Sequence, residues 1–175
     1  LTLPLKKGGK AEENYVGRFA PSPTGPLHFG SLITAVASYC DAKAHQGSWL
    51  VRIEDTDIPR IYPDSEAHIL GAIDAFQFEP DDAIIFQKDR LDLYESVLHQ
   101  LWQNHLVYAC QCTRKMLGSN HIYAGTCRDL KLPFEQQAIR VKVSDQEICF
   151  SDRLQGTHCS NLQHDLGDFV LKRRD

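Results

Sequence analysis

Two short stretches of the 175-residue chain carry residue types at spacings that chemistry needs. The first is Thr24-Gly25-Pro26-Leu27-His28-Phe29-Gly30-Ser31, where a histidine and a glycine stand at the junction of a proline-stiffened loop and a helical pattern. Free backbone N–H groups and the positive end of a helix attract phosphate, Gly30 lets a nucleotide approach the backbone, and His28 can donate to a phosphoryl oxygen. Spacing alone fits such a nucleotide site and fits equally a loop that ends on a capping histidine. The second stretch is Cys110-Gln111-Cys112 with Cys127. Two thiolates one residue apart can bind one tetrahedral ion, and the loop that follows brings back a third; a fourth donor is needed, and His121 is of the commonest type. The competing reading is three core thiols.

Both stretches need elements to position them. Residues 1–13 hold Lys6, Lys7 and Lys10 with no apolar period and read as a flexible terminus. Tyr15 to Phe19 is β-prone and runs into Ala20-Pro21-Ser22-Pro23-Thr24-Gly25-Pro26, where proline and glycine stop helix and sheet alike. From Phe29 the residues Leu32, Ile33, Val36, Ala37, Cys40 and Ala44 fall at helical spacing, which places Cys40 in the core, and Gly47 follows as a helix terminator. Ser48 to Ile53 has strand composition and leads into Glu54, Asp55 and Asp57. A β-loop-α-β unit implies a parallel sheet with helices on its faces. Asp64 can cap a helix bearing Ile69, Ile73 and Phe76; Ile84 to Phe86 is a brief strand, and Leu91, Tyr94, Val97, Leu98, Leu101 and Trp102 mark another helix. The fold class is therefore α/β, doubly wound over 14–108. Residues 109–175 read as a small α+β insertion that carries the cysteines and begins the return to the sheet, with short strands at Ala138 to Val143, Ile148 to Phe150 and Asp168 to Leu171.

Composition sets the outer limits. Apolar residues at 42% and charged residues at 24% exclude disorder or collagen-like structure for the whole chain. A formal net charge of −4 excludes a generally basic nucleic-acid coat, so RNA must be met locally. The six cysteines follow no secretory leader and read as reduced thiols. No apolar run approaches the roughly 20 residues of a membrane span. A cytoplasmic protein is expected. The chain opens on Leu1 and closes on Lys172-Arg173-Arg174-Asp175, which suggests that it is cut at one end or both.

The run Gly17-Arg18-Phe19-Ala20-Pro21-Ser22-Pro23-Thr24-Gly25-Pro26-Leu27-His28-Phe29-Gly30, followed by Arg52-Ile53-Glu54-Asp55-Thr56-Asp57, resembles the class I glutamyl-tRNA synthetase group. His28-Phe29-Gly30-Ser31 matches its H-I-G-H-type element. Phe-Gly-Ser after the histidine and the cysteine pattern are most similar to the shorter branch that glutamylates queuosine in tRNA(Asp) and lacks an anticodon-binding domain. The resemblance covers residues 14–175 and implies a Rossmann-type class I fold. It also implies ATP with Mg2+ and glutamate as substrates, queuosine-bearing tRNA(Asp) as partner, no membrane, and a monomer.

Roles follow from that resemblance. Arg18 would hold the side-chain carboxylate of glutamate, as a planar guanidinium suits, with Phe19, Ala20, Pro21 and Ser22 around it. Glu54 would take the α-ammonium, whereas residue types alone favour a plain Arg18–Glu54 ion pair between adjacent strands. Thr24, His28, Gly30 and Ser31 would hold ATP, and His28, Gly30 and Ser31 would carry catalysis as the carboxylate attacks the α-phosphate. Asp55 and Asp57 take no catalytic part and shape the loop. The resemblance assigns the metal, one structural zinc, to Cys110, Cys112, Tyr123 and Cys127, with His121 as the competitor. Asp129 stands where zinc-bearing glutamyl-tRNA synthetases have a histidine, which favours the queuosine branch. A K-M-S-K-type loop is missing, since Lys115-Met116-Leu117-Gly118 has no second lysine. This 175-residue chain is therefore expected to form adenylate poorly or not at all by itself. A piece of an ordinary glutamyl-tRNA synthetase and a non-catalytic RNA- or protein-binding module are the alternatives.

Overall fold

The computed structural model describes residues 15–117, 122–152 and 154–174, and the chain divides into two compact units, Leu1–Leu93 and Tyr94–Asp175. The helix and strand before residue 108 share their core with a later strand: Leu98, Val107 and Ala109 pack with Ile139.

In the first unit, β1 (Val16–Phe19), β2 (Ser48–Ile53) and β3 (Ile85–Phe86) form a parallel sheet in that order, with α1 (Phe29–Ala44) and α2 (Ser65–Ala75) as crossovers. The register pairs Phe19 with Val51 and Ile53 with Phe86, so the carboxyl ends of the strands lie along one edge. Strand β2 alternates: Trp49, Val51 and Ile53 are buried and pack with Phe19, Ile69 and Ile73. The indole of Trp49 also donates to Ser38 Oγ at 3.0 Å.

Helix α1 buries a different face from the one its bulky residues predict. Ala35 and Ala42 are buried, whereas Phe29, Ile33, Val36 and Cys40 are exposed. The small residues win because the helix lies very close to β1: a Cβ at Gly17 would stand 2.8 Å from Ser38 O and 3.0 Å from Ala42 Cβ. Cys40 is accordingly not a core residue. At the end of the helix, Gln46 and not Gly47 takes the left-handed turn. Asp64 occupies the N-cap position of α2 but makes no side-chain capping bond, its backbone being left-handed.

In the second unit, β4 (Val107–Cys110), β5 (Ala138–Val141) and β8 (Val170–Lys172) form an antiparallel sheet. Strand β4 is buried on both faces. Val107 and Ala109 pack with Ile139 and with Leu98 of α3 (Leu91–Gln103), while Tyr108 and Cys110 pack with Tyr123 and Cys127. One short turn of helix, α4 (Arg114–Leu117), follows the paired cysteines.

A separate hairpin joins β6 (Glu147–Asp152) to β7 (Gly156–Asn161), and α5 (Leu162–Asp165) leads on to β8. The polar composition of β7 hides a strand from pattern reading. Cys149 stands directly opposite Cys159 across the hairpin, and the two form a disulfide. That corrects the reading of all six cysteines as thiols: Cys40, Cys110, Cys112 and Cys127 are free.

Candidate active-site edge and metal centre

The loop between β1 and α1 leaves the carboxyl edge of the sheet. It is tied there by a bond from Glu54 N–H to Pro21 O at 2.9 Å, which brings the Ala20-Pro21-Ser22 segment beside the end of β2. Pro21 and Pro23 are buried anchors, and Arg18, Ser22 and Thr24 are exposed. Glu54 is half-buried and pairs with Arg52, whose Nη2 lies 2.6 Å from Glu54 Oε1. The Arg18–Glu54 ion pair is therefore absent among the described residues, which leaves Arg18 without an ionic partner there. A guanidinium exposed near the end of a strand and a carboxylate just after the end of the neighbouring strand are the two charges that a zwitterion requires.

His28 is the N-cap of α1. Its Nδ1 accepts from Ser31 N–H at 3.2 Å, and its Nε2 lies 3.2 Å from Ser31 Oγ. The capping reading of His28 and the nucleotide reading are therefore compatible, because the ring is folded over the helix start and remains exposed. Gly30 makes that fold possible, since a Cβ there would stand 3.1 Å from the ring. Phe29 and Gly30 are exposed at the start of α1, the end of a helix that attracts anions. Asp55 and Asp57 hold structure: Asp55 is buried and accepts from Lys88 N–H at 2.9 Å, and Asp57 accepts from Arg60 Nε at 2.6 Å.

The candidate metal centre is built on β4 and the loop after it. The sulfurs of Cys110, Cys112 and Cys127 all lie within 4.8 Å of one another, Cys112 and Cys127 at 3.5 Å. Tyr123 Oη is 3.3 Å from Cys110 Sγ and 3.5 Å from Cys112 Sγ, and it accepts from Cys127 N–H at 3.0 Å. A tetrahedron with metal–sulfur bonds of about 2.3 Å has edges of roughly 3.8 Å. The four donors thus fit one tetrahedral ion. His121 lies outside the described residues.

Ionisation in this cluster follows its packing. Burial pushes the Cys110 thiol up, but bonds from Tyr123, from the backbone at Cys112 and from Arg140 outweigh it and hold it below the ordinary thiol value. Burial raises the Cys112 thiol, with Tyr123 opposing the rise. The Tyr123 hydroxyl is raised by burial and by the sulfurs around it. Asp168 is also held low: burial works against this, but Arg128, Tyr108 and the Val143 N–H more than offset it.

Residue patterns did not single out Asp168, Arg140 or Gly167, yet these organise the centre. The Asp168 carboxylate accepts from Tyr108 Oη at 2.6 Å, from Arg128 Nη2 at 2.5 Å and from Val143 N–H at 3.0 Å. Arg140 faces Tyr108 across the β4–β5 ladder. The available signal was the alternation of Ala138 to Val143, which puts Arg140 on the face opposite Ile139. Gly167, at φ 71°, forms an isolated bridge with Tyr123, and a Cβ there would stand 2.4 Å from Tyr123 O.

Comparison with known proteins decides the family. The model for the catalytic domain of class I tRNA synthetases (E and Q) matches residues 15–175. The chain belongs to that family. The first of its relatives, the Glutamyl-Q tRNA(Asp) synthetase of Acinetobacter baylyi, is 81% identical over 161 residues, which make up 92% of this chain and 55% of the relative. The enzyme of the same name from Pseudomonas fluorescens is 50% identical over 163 residues. Among solved structures, a glutamate tRNA ligase from Elizabethkingia meningosepticum in complex with its amino acid superimposes with a TM-score of 0.79 at 31% identity, over 93% of this chain and 39% of that one. The chain spans about half the length of the curated relatives it matches. As a class I synthetase domain it has the parallel sheet expected from its sequence. No helix among the described residues is long and apolar enough to cross a membrane.

Proposed function

We propose that this chain serves the ATP-dependent activation of glutamate and the transfer of the glutamyl group to queuosine in the anticodon loop of tRNA(Asp), in the cytoplasm. The observation that carries this reading is the 81% identity to a relative of that name. The charge arrangement at the sheet edge supports it. Arg18 receives the substrate's side-chain carboxylate, with Phe19, Ala20, Pro21 and Ser22 shaping the pocket. Glu54 receives the α-ammonium. Its Oε1 is engaged by Arg52, and its Oε2 accepts nothing among the described residues, so one oxygen is oriented and the other is available.

Thr24, His28, Gly30, Ser31 and the start of α1 hold the ATP phosphates, which enter with Mg2+. As an oxygen of the glutamate α-carboxylate bonds to the α-phosphorus, the bond to the β-phosphate breaks and pyrophosphate leaves. His28 is placed to steady the negative charge that develops there. Zinc is the ion we assign to Cys110, Cys112, Cys127 and Tyr123. All four positions are filled by protein donors, so zinc here braces the fold and performs no step.

The test uses the whole protein with tRNA(Asp) that contains or lacks queuosine, and with tRNA(Glu). Glutamate incorporation only into queuosine-bearing tRNA(Asp) is expected. Charging of tRNA(Glu) instead would make this an ordinary glutamyl-tRNA synthetase, and absence of glutamate-dependent ATP–pyrophosphate exchange would point to a non-catalytic binding module.

A further inference from the structure

Arg140 is almost fully buried, and among the described residues it pairs with no carboxylate. Asp168 gives its carboxylate to Arg128, Tyr108 and Val143, and offers Arg140 only its backbone oxygen, 2.6 Å from Nη1. The other faces of the guanidinium meet the metal centre. Nε donates to Cys110 Sγ at 3.2 Å, and the guanidinium carbon sits 3.8 Å above the centroid of the Tyr123 ring. A buried cation without a counter-anion is costly. Three thiolates around one divalent ion carry an excess negative charge, and this is the charge that Arg140 faces.

We propose that Arg140 is the positioning residue of the metal centre: its plane clamps the Tyr123 ring so that the phenol oxygen faces the three sulfurs, and its charge compensates the thiolates. This rests on the reading of Cys110, Cys112, Cys127 and Tyr123 as ligands of one divalent ion. Phenol is a weaker and rarer donor than imidazole or thiolate, so a site that uses it needs the ring held in place. The backbone of Tyr123 is fixed by Gly167, but the ring face is covered by Arg140. The remaining Arg140 bond, to the Asp168 carbonyl, ties this clamp to the Arg128–Asp168 pair one layer further out.

The test compares parent, Arg140→Met and Tyr123→Phe as whole proteins, each titrated with Zn2+ against a chromophoric chelator and separately loaded with Co2+ for absorption spectroscopy. Arg140→Met is expected to keep its far-ultraviolet circular dichroism and to bind Zn2+ about 10- to 100-fold more weakly, as removal of an outer-shell partner does. Its Co2+ spectrum is expected to move toward that of Tyr123→Phe, a change that mere loosening of the fold does not produce. Zn2+ affinity within twofold of the parent, or weakened affinity with an unaltered Co2+ spectrum, overturns the assignment. Should Arg140→Met fail to fold, Arg140→Lys carries the test. Lysine keeps the charge but cannot lie flat on the ring, so the same spectral displacement is expected, and a parent-like spectrum overturns the clamp. A parent that binds neither ion, or a Tyr123→Phe variant that binds like the parent, defeats the ligand reading itself, and this inference with it, whereas normal binding in parent and Arg140→Met with weakened binding in Tyr123→Phe defeats only the role of Arg140.

Discussion

The proposed nucleotide-loop edge of the first unit and the proposed metal centre of the second solve opposite problems. At the sheet edge Arg18, Ser22, Thr24, His28 and Gly30 are exposed, and the few bonds there hold backbone or cap a helix. In the metal centre Tyr108, Cys110, Tyr123, Cys127, Arg140 and Asp168 are buried, and each is bonded to at least one other residue of the group or its neighbours. A site that must receive a charged substrate keeps its hydrogen-bonding groups free for it. A site that braces the fold satisfies them internally. Substitutions at the first should therefore cost activity with little loss of stability, and substitutions at the second should do the reverse.

The sharpest way to break that contrast is Cys110→Ser. We expect metal binding to fall by at least about 100-fold and the second unit to lose its packing, because the binding energy of a structural ion is folding energy. Trp49 lies in the first unit and Trp102 in the second, so fluorescence of a Trp49→Phe background follows the second unit alone. Native Trp102 emission with no metal bound would contradict a structural role. Stripping the ion with a chelator should reproduce the loss.

Next in size is Asp168→Asn, which sets an amide NH2 among the donors Tyr108, Arg128 and Val143 in a buried position and should cost about 1–3 kcal/mol in denaturant unfolding. The pH dependence has a definite sign. Asp168 has a lowered value in the folded protein, so its contribution is complete above the unfolded aspartate value of about 3.9 and fades as pH falls through the still lower folded value. The Asn variant should lose that acid-side dependence, and an unchanged pH profile of unfolding would refute it.

Gly17→Ala tests the scaffold of the first unit. Its methyl would push against Ser38 O and Ala42, and a cost of about 1–3 kcal/mol is expected in thermal or urea unfolding. Smallest in stability and large in function is Arg18→Ala. Exposed on its strand, it should shift unfolding by less than about 0.5 kcal/mol, yet glutamate-dependent exchange by the whole protein should fall at least about 100-fold. A normal KM for glutamate in that variant would remove Arg18 from the pocket.

Sequence pattern was informative where one period dominates. The alternation of Trp49, Val51 and Ile53 and the proline-rich break after Phe19 place β1, α1 and β2 close to where they lie. It misled for α1, where close approach to Gly17 selects the small face over the bulky one. It also missed β7, whose residues pair through the backbone and the Cys149–Cys159 link without an apolar stripe. In the metal centre the cysteines were legible because their spacing is local. Asp168 and Arg140 were not, since their roles arise from ladder pairing and loop return between residues distant in sequence, such as Tyr108 with Asp168 and Arg140 with Cys110.

Strand β4 places apolar Val107 and Ala109 on one side, and Tyr108 and Cys110 on the other. A slip of one residue would exchange the two sets, moving a ligand into the oil and a valine into the cage. An apolar core tolerates approximate matches between greasy side chains, but a tetrahedral ion does not accept a hydrocarbon donor. On the proposed zinc reading, the ion would work as a proofreader of strand alignment, because only the correctly threaded chain could hold it.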